Sequence, residues 1–107
     1  MYAILTTKPG QYRAVINEGA SAVESYDYLF CGRCRAVFDV VRLDRETRVT
    51  ITEDAPPHIS NSVPTKFLEK FDTLEQARDS LKQLIAFGNL DAQLRRRDVP
   101  ASADQQT

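Results

Sequence analysis

Tryptophan is absent from this chain, histidine and methionine each occur once, and cysteine occurs twice. Few residues that carry chemistry are therefore on hand. An iron–sulfur cluster needs four cysteines, or two cysteines and two histidines, and one chain holds neither set. A closed zinc site would have to combine Cys31, Cys34, the single histidine His58 and a carboxylate, and these show no recognisable ligand spacing. Completion across two copies is the remaining route to a metal. Glycine-rich phosphate loops, nucleophile elbows and HExxH patterns are missing too. No catalytic pair is found, so the expectation is a non-enzymatic protein without cofactor or metal.

Charge of one sign is also lacking. Fourteen basic residues face fifteen acidic ones, for a net charge of -1. No global field draws the chain to nucleic acid or an anionic membrane, and neither is expected as a partner. No apolar run approaches the ~20 residues that span a bilayer. The opening MYAILTTKPG lacks the basic n-region of a signal peptide. A cytoplasmic location follows as an expectation, and with it reduced thiols.

Against these absences stand 42% hydrophobic and 27% charged residues over 107 positions, a balance that favours a folded domain over disorder. The reading places one α+β domain over residues 1–90. Residues 91–107 form a charged, flexible tail, in which Asp91, Asp98 and Asp104 balance Arg95, Arg96 and Arg97. The basic run itself reads as a solvated helix end or tail.

Residues 2–7 and 11–17 read as short strands, with Pro9-Gly10 punctuating the first. The stretch YDYLF-CGRC-RAVFDV, residues 26–40, is rich in strand formers on both sides of its glycine. A two-residue loop at Gly32-Arg33 suits a type II′ hairpin turn. Cys31 then opposes Cys34, Leu29 opposes Ala36 and Asp27 opposes Phe38, with both cysteines on the apolar face. Tyr26, Tyr28, Phe30 and Arg35 share the other face. A second turn at residues 43–46 sets Val40 across from Val49 and Phe38 across from Ile51. Both hairpins together predict a mostly antiparallel β-meander of four to six strands.

Residues 53–64 are broken by prolines, and residues 65–71 could form a last short strand. A long C-terminal helix follows. Asp72 or Thr73 caps it, and Glu75 sits where Asp72 would complete a capping box. Leu74, Ala77, Leu81, Leu84 and Ile85 recur at helical spacing, and Gly88 ends the helix with Leu90 in Schellman contact. The helix is expected to pack on one face of the sheet.

Three candidate sites follow. The first is an interaction face of Tyr26, Tyr28, Phe30 and Arg35, residue types favoured at protein interfaces. Through it the chain would bind an unknown protein partner or a second copy of itself. The second is a redox pair, Cys31 and Cys34. The third is a ligand loop holding His58, Ser60 and Asn61. The last two support an alternative: an accessory component that binds a small metabolite or serves a redox pathway, for example with an oxygenase.

Overall fold

The computed structural model describes residues 1–86 and 92–99. In chain order the elements are β1 (Tyr2–Thr7), β2 (Tyr12–Ile16), β3 (Ala20–Phe30), β4 (Arg33–Leu43), β5 (Arg48–Glu53), β6 (Ser60–Pro64), a 3-10 turn (Thr65–Phe67), α1 (Leu74–Ala86) and β7 (Ala92–Arg97). The class is α+β. All pairings within the sheets are antiparallel, but there are two sheets where one meander was expected. Four strands in the order β1-β4-β3-β7 make one, and three in the order β2-β5-β6 make the other.

Strand β4 explains the layering. Its residues 36–41 are all buried, the signature of a strand covered on both faces. Ala36, Phe38 and Val40 face α1, whose Ala77 and Leu81 complete that core. Val41 and Leu43 face the second sheet and join Ala3, Leu5, Ala14 and Val49. The four-stranded sheet is thus the middle layer, between a helix and three strands.

The expected β4–β5 hairpin does not form. β4 pairs instead with β1, so that Ile4 lies beside Val40. β5 crosses to the other sheet, where Val49 pairs with Ile16 and Ile51 with Ala14. The alternation of residues 47–52 identifies the buried side of β5 correctly. It carries no information about which strand lies alongside.

The β3–β4 hairpin forms, with a different register. Cys31 (φ 52°) and Gly32 (φ 76°) both lie in the left-handed region. They are the two loop residues of a type I′ turn, which needs positive φ at both positions. Phe30 pairs with Arg33, and Leu29 with Cys34. The next pair is Tyr28 with Ala36, which leaves Arg35 as the extra residue of a β-bulge. Tyr26 consequently opposes Phe38, not Asp39. A slip of this kind moves side chains to the other face, and here it carries the tyrosines onto the helix side.

Helix α1 has 13 residues and is followed by β7, so it is neither long nor C-terminal. Thr73 Oγ1 accepts the Gln76 backbone N–H at 3.1 Å, the contact of an N-cap. Gln76 Oε1 accepts the Asp72 N–H at 2.9 Å, so Gln76 takes the reciprocal role expected of Glu75. Of the predicted stripe, Ala77 and Leu81 are buried, whereas Leu84 is 47% exposed. Gly88 and Leu90 lie outside the described residues, as do Asp91, Asp104 and the end of the predicted tail. Ala92–Arg97, expected within that tail, forms an edge strand on β3. Residues 65–71 yield the 3-10 turn and a single bridge between Phe71 and Tyr2 in place of a strand. No helix among the described residues is long and apolar enough to cross a membrane.

Candidate functional site

Residues 31–35, the tip of the β3–β4 hairpin, are all exposed. The pairing of β1 with β4 ends at Thr7 and Val37. The β4 residues 33–36 therefore extend beyond β1 and have an open edge. On the opposite side β7 accompanies β3 as far as Phe30, which pairs with Ala92. The tip brings together members of two predicted sites, Phe30 and Arg35 from the interaction face and Cys31 and Cys34 from the redox pair. Phe30 is half-buried and the other three are exposed.

Both cysteines are free and solvent-exposed, a correction to their predicted place on the apolar face. The turn accounts for it. Cys31 is a loop residue, and Cys34 lies opposite Leu29 at the end of the ladder. The Cys34 thiol donates to the Ala36 carbonyl at 3.4 Å and faces Asp27 Oδ1 at 3.8 Å. No described acidic side chain pairs with Arg33 or Arg35. The tip thus carries two thiols and two cations with no ion-pair partner among the described residues.

Tyr26 and Tyr28 are not part of that surface. Both pack against the core beneath α1. The ring of Tyr28 stacks on Phe38 with centroids 5.9 Å apart, a contact that adds to simple area burial. Tyr26 donates its hydroxyl to Glu24 at 2.7 Å, with Arg96 over its ring. Burial, and then Glu24, raise its phenol above the usual range. Tyr26 and Tyr28 are partly buried against the helix-side core, so Phe30 and Arg35 are the members of the predicted face that reach the tip.

The arginine run is built into the sheet. Alternation along β7 sends Arg96 to one face and Arg95 and Arg97 to the other. Arg96 reaches Glu24 at 3.3 Å, and Arg78 of α1 grips the same carboxylate, with Nε 2.9 Å from Oε1. Arg78 is the main reason that Glu24, a buried side chain, has its carboxyl pKa lowered to about 2. Arg95 and Arg97 each lie 3.0 Å from Asp27. Burial opposes ionisation of Asp27, yet the two guanidinium groups hold its pKa below the ordinary value. The partners of Asp27 are 68 and 70 residues away in sequence, so reading the run by itself could not find them. A usable signal was present: two carboxylates inside an apolar strand, Glu24 and Asp27, need cations.

Asp39 is buried beside them and accepts the Ser25 hydroxyl at 2.6 Å. Burial raises its pKa, and the Ser25 bond and Arg97 offset part of that rise. Ser25 is fully buried, so this pair is structural.

His58 lies in the turn between β5 and β6, exposed, with Nδ1 3.2 Å from the Glu53 carbonyl. Ser60 and Asn61, predicted in the same loop, belong to edge strand β6, where Ser60 pairs with Thr52 and Asn61 with Ile51. The loop sits on the second sheet and the cysteines on the tip of the first, so the two predicted sites do not merge. No group of three metal-binding side chains occurs among the described residues. A shallow apolar cleft of about 230 Å³ lies between α1 and β1, over Ile4, Phe38 and Phe71. It falls below the roughly 300–1,000 Å³ of small-molecule sites. An adjoining hollow of about 310 Å³ is walled by Glu69, Gln76, Asp79 and Gln83, with Phe71 as its one aromatic residue.

Compared with protein-family models, with curated proteins and with solved structures, the chain matches none.

Proposed function

We propose that this chain is a non-enzymatic interaction protein that contacts a protein partner, or a second copy of itself, through the β3–β4 hairpin tip. One observation carries the reading: the tip is exposed over five consecutive residues and holds Arg33 and Arg35 without a described acidic partner. Every other member of the nearby arginine group is engaged, Arg78 and Arg96 on Glu24 and Arg95 and Arg97 on Asp27. The bulge at Arg35 is the kind of irregularity that re-aims a side chain at a strand end. Arginine with a neighbouring aromatic, here Phe30, is a common anchor at interfaces.

Photo-crosslinking tests this directly. A photoreactive residue at position 33 should give one discrete adduct in cells, and Arg35→Glu should abolish it. The same group at position 15, exposed on the second sheet, should give none. Adducts from position 15 alone, or an adduct from position 33 indifferent to Arg35→Glu, would refute the tip as the contact surface.

A second reading draws on the exposure of both thiols. A dithiol at the surface can exchange with a partner's disulfide, which fits a redox accessory component, for example of an oxygenase system.

A further inference from the structure

We infer that the hairpin tip receives an acidic, extended segment of a partner protein, which adds as a strand along the open edge of β4 at residues 33–36. This rests on the reading of the tip as a contact surface and names the chemistry of the partner and the way it docks. The opening has a local cause. β1 stops beside β4 at Thr7, opposite Val37. At the next residue the chain turns away toward β2. Pro9 and Gly10 (φ 83°) form the centre of a turn in which the Gln11 N–H donates to the Lys8 carbonyl at 2.9 Å, and the Lys8 N–H donates to the Tyr12 carbonyl at 3.1 Å. β4 therefore runs on through Ala36, Arg35, Cys34 and Arg33 with β3 as its one neighbour. Residues 33–35 are exposed. A strand with one neighbour presents a row of unpaired N–H and C=O groups on its free side, which is the template that an added strand uses.

Charge selects the occupant. Arg33 and Arg35 lie on the open segment, and Lys8 follows Thr7 at its inner end. All three are exposed, and none has an ion-pair partner among the described residues. Two copies joined edge to edge here would bring Arg33 and Arg35 of one against Arg33 and Arg35 of the other, and like charges across a strand pair are destabilising. A strand carrying Asp or Glu meets the same cations favourably. Edge charges that oppose self-pairing and admit a complementary strand give specificity by repulsion as well as attraction. The other free edges lack this combination. The arginines of β7 are engaged by Glu24 and Asp27. β2 carries one cation, Arg13, and β6 carries none and ends in Pro64, which has no N–H to offer.

Phage-displayed random octapeptides, panned against the reduced, full-length chain, test the inference. Enriched sequences should alternate Asp or Glu with strand formers, and a chain carrying both Arg33→Glu and Arg35→Glu should not enrich them. A synthetic peptide of an enriched sequence should shift the amide NMR resonances of residues 33–36 and slow their hydrogen exchange. The double substitution should weaken its binding about tenfold. Alternate backbone N–H groups of an added strand point toward β4 and away from it. Methylating alternate nitrogens of the peptide should therefore weaken binding about tenfold in one register and leave it unchanged in the other. No enrichment, enrichment of basic or neutral sequences, equal loss in both registers, or shifts confined to other residues would overturn it. A position 33 crosslink that joins two copies of the chain would assign the edge to a second copy and overturn it as well. Should the peptides fail while a position 33 crosslink to another protein persists, the tip remains a contact surface and only its acidic strand is refuted. Should both fail, both readings fall.

Discussion

Replacing Leu81 by alanine should lower the free energy of unfolding by about 2–5 kcal/mol, read as a drop in urea midpoint at unchanged slope. Leu81 is 3% exposed, and with Ala77 it is one of the two fully buried side chains that α1 sends into the sheet. Its truncation leaves a cavity over Ala36, Phe38 and Val40, the centre of the helix-side core. That core is closed from the sheet side by the tyrosines. Tyr28→Ser should therefore shift the midpoint in the same direction. Arg35→Ser, at the tip, should stay within about 0.5 kcal/mol of the parent. Tyr28→Ser without cost would mean that the tyrosine face is open, and would restore it as an interaction surface.

The second large effect concerns Glu24. Arg78→Ala should lower the urea midpoint, because it leaves a buried carboxylate with only Arg96 and the Tyr26 hydroxyl. The same ion pair predicts acid sensitivity. The carboxyl has a folded pKa of about 2 against an ordinary 4.5, so its contribution is complete above about pH 4.5 and is lost as the pH falls toward 2. That depression converts to about 3 kcal/mol. Arg78 and Arg96 are 39% and 60% exposed, and solvent at their guanidinium groups reduces the figure to about 2 kcal/mol. Asp27, also depressed, adds to the loss in the same direction. Urea unfolding at a series of pH values checks both statements: the parent should weaken steeply below pH 4.5, and Arg78→Ala should show a shallower acid limb. Equal acid limbs would show that Glu24 is not the group responsible.

The sequence-based reading succeeded where the signal is local. The helix position follows from Leu74, Ala77 and Leu81 at helical spacing behind Thr73, whose hydroxyl does cap it. The hairpin follows from strand formers on both sides of Gly32. Pro64 does keep its segment out of a central strand, as expected, but Ser60–Pro64, read as part of a broken loop, forms edge strand β6.

It failed where a single residue of register decides. Gly32 fits either as first residue of a type II′ loop or as second residue of a type I′ loop, and a cysteine with positive φ is uncommon enough to favour the former. The bulge at Arg35 leaves no local mark at all. Together these two features placed the cysteines on the apolar face, whereas both are exposed, and put the tyrosines opposite the helix-side core against which they are partly buried. The pairing of β5 with β2, and the recruitment of β7 by Glu24 and Asp27, depend on contacts between distant parts of the chain. Alternation and charge runs show which side of a segment is buried or solvated, and they do not name its neighbour. The residues now at the tip were read as members of two separate candidates, Phe30 and Arg35 in an aromatic face and Cys31 and Cys34 as a redox pair, and only the hairpin geometry puts them side by side.

That position is the claim on which the functional reading stands, and thiol reactivity measures it most directly. Ellman's reagent added to the native, reduced, metal-free chain should titrate two thiols per molecule, at rates close to those of the urea-unfolded chain. Thiols that stay silent until the protein unfolds would place Cys31 and Cys34 inside the fold, and the exposed hairpin tip, with the contact assigned to it, would be wrong.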